Sequence, residues 1–165
     1  MKKIFTKKSI ILVSAVLALA IIVSTLFIIF GGGDFRRAKW GMTPDKVRKV
    51  ENATLLNDST NKISYKTDSV DGLKVDTVFF YNFDNETNRL RNVTMGFDVE
   101  GIEDKLARKI ISHFEEKYGE TDEYEETYGS YEYIWYADRT QIRIYQLETY
   151  ILISYADINY PFVLE

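Results

Sequence analysis

One histidine, no cysteine and a crowd of acids and tyrosines limit what this sequence could do chemically. A multi-histidine metal site needs more than one imidazole, and His113 stands alone. A cysteine nucleophile, a thiolate metal site or a lipid-modified cysteine needs sulfur that the chain lacks. His113 lies beside the apolar stripe of a helix, near its C-terminal end, where an imidazolium is favoured by the dipole. The reading is a half-exposed helix histidine. Glu115, Glu116, Glu120, Asp122, Glu123, Glu125 and Glu126 offer oxygens that Ca²⁺ could take. They lack the alternating spacing and central glycine of a calcium loop, so they read as a solvated helix end and loop, with no metal expected. Asp98 and Glu100 could share acid–base work in principle, but nothing in their surroundings sets them apart from surface acids.

The aromatic cluster beside those acids is the stronger candidate. Tyr124, Tyr128, Tyr131, Tyr133, Trp135 and Tyr136 crowd a short stretch. On a strand, Tyr131, Tyr133 and Trp135 share one face while Ile134 and Tyr136 share the other. A two-layer domain cannot bury both faces completely. An exposed aromatic set among polar neighbours suits a partner surface. The candidate binding residues are therefore Tyr128, Tyr131, Tyr133 and Trp135. The competing reading packs the same rings under helices.

The elements that must position this cluster follow from periodicity and punctuation. Met42-Thr43-Pro44-Asp45-Lys46-Val47 reads as a helix start, with the Thr43 hydroxyl as cap, Pro44 in the first turn and Asp45 at the positive end of the dipole. A polar, turn-rich stretch follows from Asn52 to Asn61. Strands are expected at 62–67, 73–83 and 89–98, the second carrying Val75, Phe79, Tyr81 and Phe83 on one side. Ile102, Leu106, Ile110, Phe114 and Tyr118 recur at helical spacing, and Gly119 is placed to end that helix. An acidic, tyrosine-rich connector leads to three more strands at 131–137, 140–147 and 150–156, joined at hairpin-compatible lengths. The expected fold class is α+β: an antiparallel sheet with two helices packed on one face, built as tandem αβββ units.

Upstream of this body the composition changes. Residues 10–30 run IILVSAVLALAIIVSTLFIIF without a charge, preceded by Lys2, Lys3, Lys7 and Lys8. As a helix rising ~1.5 Å per residue, such a run spans about 31 Å, the thickness of a bilayer core. A secretory signal has a shorter apolar stretch, of roughly 7–15 residues, with small residues at its cleavage site. This run ends in bulky Leu26-Phe27-Ile28-Ile29-Phe30. An uncleaved anchor is the favoured reading. Cleavage near Gly31-Gly32-Gly33 and a buried soluble helix are the alternatives. Those glycines are no phosphate loop, since no Lys-Ser/Thr follows them.

The expected organisation is a basic tail at 1–9, a transmembrane helix at 10–30, a linker at 31–39 and a domain at 40–165. Within 31–39, Phe35 and, just beyond, Trp40 either cap the core or touch headgroups together with the nearby arginines. The four leading lysines and the long C-terminal body favour a cytoplasmic N-terminus, with the domain outside the cytoplasm. The residues from Asp34 onward hold 25 acids against 17 bases, about −8 at neutral pH. That balance disfavours nucleic acid as a partner.

Gly41-Met42-Thr43 with Val47, opening a short helix behind a membrane-targeting segment, resembles the start of BamE/SmpA-type envelope lipoproteins. The repeated helix-then-hairpin order, with Tyr118-Gly119-Glu120 closing the second helix, is similar to the β-lactamase-inhibitor proteins. Both families act by binding other proteins, so the resemblance implies a non-catalytic domain. The lipoproteins carry an acylated cysteine that this chain lacks. The functional expectation is a non-enzymatic, cofactor-free, membrane-anchored domain of the bacterial cell envelope whose partner is another envelope protein. The alternative is a small-ligand or sensory domain with a pocket between sheet and helices.

Overall fold

The computed structural model describes residues 34–101, 104–127 and 129–161. The expected tail, the apolar run Ile10–Phe30 and the glycine joint lie outside them. Among the described residues no helix is long and apolar enough to cross a membrane. The body is α+β. Helix α1 (Pro44–Val50) precedes strands β1 (Thr54–Asp58), β2 (Lys62–Val70), β3 (Leu73–Phe83) and β4 (Leu90–Asp98). Helix α2 (Lys105–Tyr118) precedes β5 (Glu123–Thr127), β6 (Ser130–Ala137), β7 (Thr140–Gln146) and β8 (Tyr150–Asp157). All eight strands form one antiparallel sheet in the order β1-β2-β3-β4-β8-β7-β6-β5.

The sheet thus has eight strands where six were expected. The additional two, β1 and β5, are its outermost strands. The stretch expected to be a turn-rich loop is β1, and the acidic connector is β5. Every residue of both is exposed, so neither carries the buried–exposed alternation that marks a strand in sequence.

Register aligns one face of the sheet into the core. Ile63 faces Tyr81, Tyr81 faces Val93, Val93 faces Tyr155, Tyr155 faces Ile142 and Ile142 faces Trp135. All six side chains are buried. Val47 of α1 and Ala107, Ile110 and Phe114 of α2 join the same cluster. The Phe114 ring lies 5.8 Å from Trp135 and 6.3 Å from Tyr155. The opposite face is polar in its middle, with Asn82, Asn92, Thr94, Ser154 and Arg143 following one another across β3, β4, β8 and β7.

Packing begins upstream of the expected domain start. Phe35, Ala38 and Trp40 are buried, and Phe35 meets Phe79, Tyr81 and Tyr155 with ring centroids 4.7–6.0 Å apart. The Trp40 indole N–H donates to Thr140 Oγ1 at 3.1 Å. Of the two readings for these aromatics, the structure adopts the core-capping one. Arg36 fastens the segment through its 3.2 Å ion pair with Glu51, the residue at the C-terminal cap of α1, whose carboxylate is almost wholly enclosed. That carboxylate also accepts the Asn52 and Ala53 N–H groups, each at 2.8 Å, and the Tyr81 hydroxyl at 2.6 Å. Four donors on one buried anion compensate its lost hydration. Burial, reinforced by this neighbouring carboxylate, pushes the Tyr81 hydroxyl far above the ordinary tyrosine range.

Helix ends differ from expectation at one point. The Thr43 side chain makes no capping bond. The Lys46 N–H that its hydroxyl would have met is bonded to the Thr43 carbonyl at 3.0 Å instead. At α2 the Asp104 carboxylate caps by accepting the Leu106 N–H at 2.6 Å. Gly119 ends α2 at φ 90°, its N–H bonded to the Glu115 carbonyl. One glycine is required by close approach rather than by its torsions. A Cβ on Gly96 would sit 1.5 Å from the Tyr150 hydroxyl oxygen, because that ring lies across the β4 backbone.

Candidate interaction surface

The aromatic cluster is built on the β5–β6 hairpin, with Glu123 facing Ile134, Tyr124 facing Tyr133 and Glu126 facing Tyr131. Tyr124, Tyr131, Tyr133 and Trp135 therefore stand on the core face, as strand alternation predicts for the last three. Their burial is graded. Trp135 is 1% exposed, Tyr131 and Tyr133 are half-buried, and Tyr124 is 54% exposed. The rings form a continuous ladder. Tyr133 stacks on Trp135 at 6.2 Å and 14°, Tyr124 lies 5.3 Å from Tyr133, and Tyr131 stacks on Tyr124 at 6.3 Å. Partial burial, and then the neighbouring Tyr124 and Glu115, raise the Tyr133 hydroxyl above its ordinary pKa.

This grading divides the four residues singled out from sequence. Trp135 is a core residue. Its indole N–H donates to the Gly119 carbonyl at 3.0 Å, tying the end of α2 to the sheet. No partner reaches it while the domain is folded. Tyr131 and Tyr133 form the flank of an exposed surface, and Tyr128 lies outside the described residues. Tyr124, which is not one of those four, is the most exposed ring of the ladder. Its signal was present in Glu123-Tyr124-Glu125, a polar–aromatic alternation that runs into the hairpin turn.

The other side of the hairpin is held by hydrogen bonds. Asp122 Oδ2 accepts the Tyr136 N–H at 2.8 Å, and the Tyr136 hydroxyl donates to Glu123 at 2.9 Å. Glu132 pairs with Arg143 at 3.0 Å, and Arg143 also donates to the Tyr145 hydroxyl at 2.6 Å. Glu123, Glu125 and Glu132 lie together on this face, because Glu125 faces Glu132 and both share the alternation of Glu123.

His113 belongs to a different cluster. Its Nε2 lies 3.1 Å from the Asp71 carbonyl, and the Asp71 carboxylate meets Lys117 and the Tyr118 and Tyr155 hydroxyls. These contacts pin the β2–β3 turn to α2. Among the described residues no group of three or more His, Asp or Glu side chains is arranged to hold a metal ion. Asp98 and Glu100 are exposed.

A concavity of about 420 Å³ opens where β3 and β4 part. Their pairing begins only at Phe79 opposite Met95, although β3 starts at Leu73. Val75, Val78, Phe80, Phe97, Asp98 and Tyr150 line it.

Comparison of the chain with family models, curated proteins and solved structures finds no match.

Proposed function

We propose that this chain is a membrane-anchored, non-catalytic protein-interaction domain of the cell envelope, held in the bilayer by Ile10–Phe30 with its body outside the cytoplasm. The unbroken apolar run and the lysines before it support the anchor. The observation that carries the interaction role is the ring ladder, which begins in the core at Trp135 and ends in solvent at Tyr124 on the outermost strand. Exposed tyrosines mounted on a rigid base are what protein interfaces use as anchors, because little side-chain freedom is lost on contact.

The two halves also read as a duplicated unit of one helix and four strands. A duplicated unit joined through its last strands gives a palindromic strand order, as in this sheet. Gly41-Met42-Thr43-Pro44-Asp45-Lys46-Val47 and Gly101-Ile102-Glu103-Asp104-Lys105-Leu106 open the two units with a similar run, and both glycines have positive φ. The likeness to BamE/SmpA-type lipoproteins and β-lactamase-inhibitor proteins is part of this reading.

The test places a photoreactive phenylalanine analogue at Tyr124, at Phe80 on the opposite face, or at Leu55 on the opposite edge, in the full chain in its own membranes. The reading expects a discrete adduct with one protein from position 124. Adducts from 80 or 55 alone would move the surface, and none from any position would remove the interaction role. The cleft between β3 and β4 favours a second reading, a small-ligand domain. Tyr150→Trp would report its occupancy, and a fluorescence change with extracted small molecules would favour that reading.

A further inference from the structure

The two free edges of the sheet are not equivalent. β1 is interrupted by a bulge between Leu55 and Asn57, and its Asp58 carboxylate is held by Arg48 through bonds of 2.6 and 2.8 Å. A bulge spoils an edge as a template for another strand. β5 pairs with β6 through five consecutive positions without a shift. It is therefore a regular strand with nothing hydrogen-bonded along its outer side among the described residues. The connection from Thr127 to Ser130 holds two residues. Positions flanking such a connection exchange their bonds, so alternate residues, Tyr124 and Glu126, turn their N–H and C=O groups outward.

The side chains around this edge define what could lie along it. On one face stand Glu123, Glu125 and Glu132; on the other, Tyr124 and Tyr131, with Glu126 directly opposite Tyr131. From Gly119 to Thr127 there are five acids and no base. A second copy of β5 laid antiparallel on the first would set glutamates against glutamates, which is unfavourable. A strand with Lys or Arg at alternate positions would meet Glu123 and Glu125, Glu132 being paired with Arg143 one strand inward, and its intervening apolar residues would meet Tyr124 at the edge of the ladder. The edge is also fixed in advance. Asp122 bonds to β6 at both its N–H and its carboxylate, and the Tyr136 hydroxyl holds Glu123. Less ordering free energy is then lost on binding.

We infer that β5 receives an extended segment of a partner protein as an added strand, with basic and apolar residues alternating along it. This rests on the interaction role proposed above and names its ligand chemistry. The main chain would supply affinity and the two alternating faces would supply selectivity.

The test titrates the full chain, in mild detergent, with labelled Ac-Lys-Val-Lys-Tyr-Lys-Val-Lys-NH2 and follows anisotropy. Saturable binding that weakens as salt is raised is expected. The combined variant Glu123→Gln, Glu125→Gln, Glu126→Gln should bind at least tenfold more weakly, and Leu55→Ser should bind unchanged. A peptide with the same charges but alternate backbone amides N-methylated should lose binding, because it cannot complete the ladder. Equal binding of the N-methylated peptide would overturn the inference by showing simple charge attraction. So would equal binding by the glutamine variant, equal affinity for a Glu-for-Lys peptide, or no binding at all. A discrete adduct from position 124 in membranes alongside any of these results would leave the interaction role standing and remove only the added strand.

Discussion

Replacing Trp135 by Ala separates the core from the surface within a single ladder of rings. The indole is 1% exposed and sits between Phe114 at 5.8 Å and Tyr133 at 6.2 Å. Removing a buried indole deletes roughly 150–250 Å² of packed surface, and Trp→Ala changes in cores cost about 3–5 kcal/mol. Loss of the bond to the Gly119 carbonyl adds at most about 1 kcal/mol, since Gly119 is exposed and water can replace the donor. About 4 kcal/mol is a large part of the roughly 5–15 kcal/mol that stabilises a domain. With a urea m-value of about 1.5 kcal/mol/M, the midpoint should fall by about 2–3 M. Tyr124→Ala, at the exposed end of the ladder, should move it by no more than about 0.3 M. Far-UV circular dichroism of the full chain in mild detergent measures both. Similar shifts for the two variants would refute the assignment of Trp135 to the core and Tyr124 to the surface.

Alkaline unfolding should be steep. Tyr81, Tyr118 and Tyr155 are held well above the ordinary value of 10.0, in each case by burial first and then by Glu51 or Asp71. The folded state therefore keeps protons that the unfolded chain releases. Their contribution is complete below pH 10 and falls by about 1.4 kcal/mol per pH unit per tyrosine above it. Tyr118→Phe should lower that slope by one tyrosine's share in urea midpoints measured between about pH 9 and 11.5, and an unchanged slope would contradict the burial argument. Gly96→Ala should destabilise by about 1–3 kcal/mol by displacing the Tyr150 ring, and combining it with Tyr150→Ser should cost less than the two single changes added. Additive losses would show that the ring is not the obstacle. Glu51→Ala, which leaves the Tyr81 hydroxyl and two backbone N–H groups without their acceptor, should cost about 3–5 kcal/mol in the same denaturation assay. A loss under about 1 kcal/mol would mean that water replaces the carboxylate.

How much of this could be read from sequence depends on burial. The bounds of β3 are those expected, because Phe79, Tyr81 and Phe83 alternate with half-buried Val78, Phe80 and Asn82. The inner strands β4, β7 and β8 agree with expectation to within a residue at each end, for the same reason. β1 and β5 differ from expectation because a fully exposed edge strand is defined by pairing on one side alone and has no buried face to set a period, so β5 shows only the short Glu123-Tyr124-Glu125 alternation. Phe35 gave no periodic signal either, since the buried residues of its segment, Phe35, Ala38 and Trp40, follow neither helical nor strand spacing. At the candidate surface, strand alternation placed Tyr131, Tyr133 and Trp135 on one face. It could not say how far α2 covers that face, and the position of Phe114 against Trp135 decides it.

The anchored topology is tested most directly by treating intact, wall-stripped cells with protease and analysing the membrane pellet by mass spectrometry. The account predicts that peptides from Asp34 onward disappear while a fragment containing Ile10–Phe30 stays with the membrane. Recovery of the undigested chain, first thirty residues included, in the soluble fraction would contradict it.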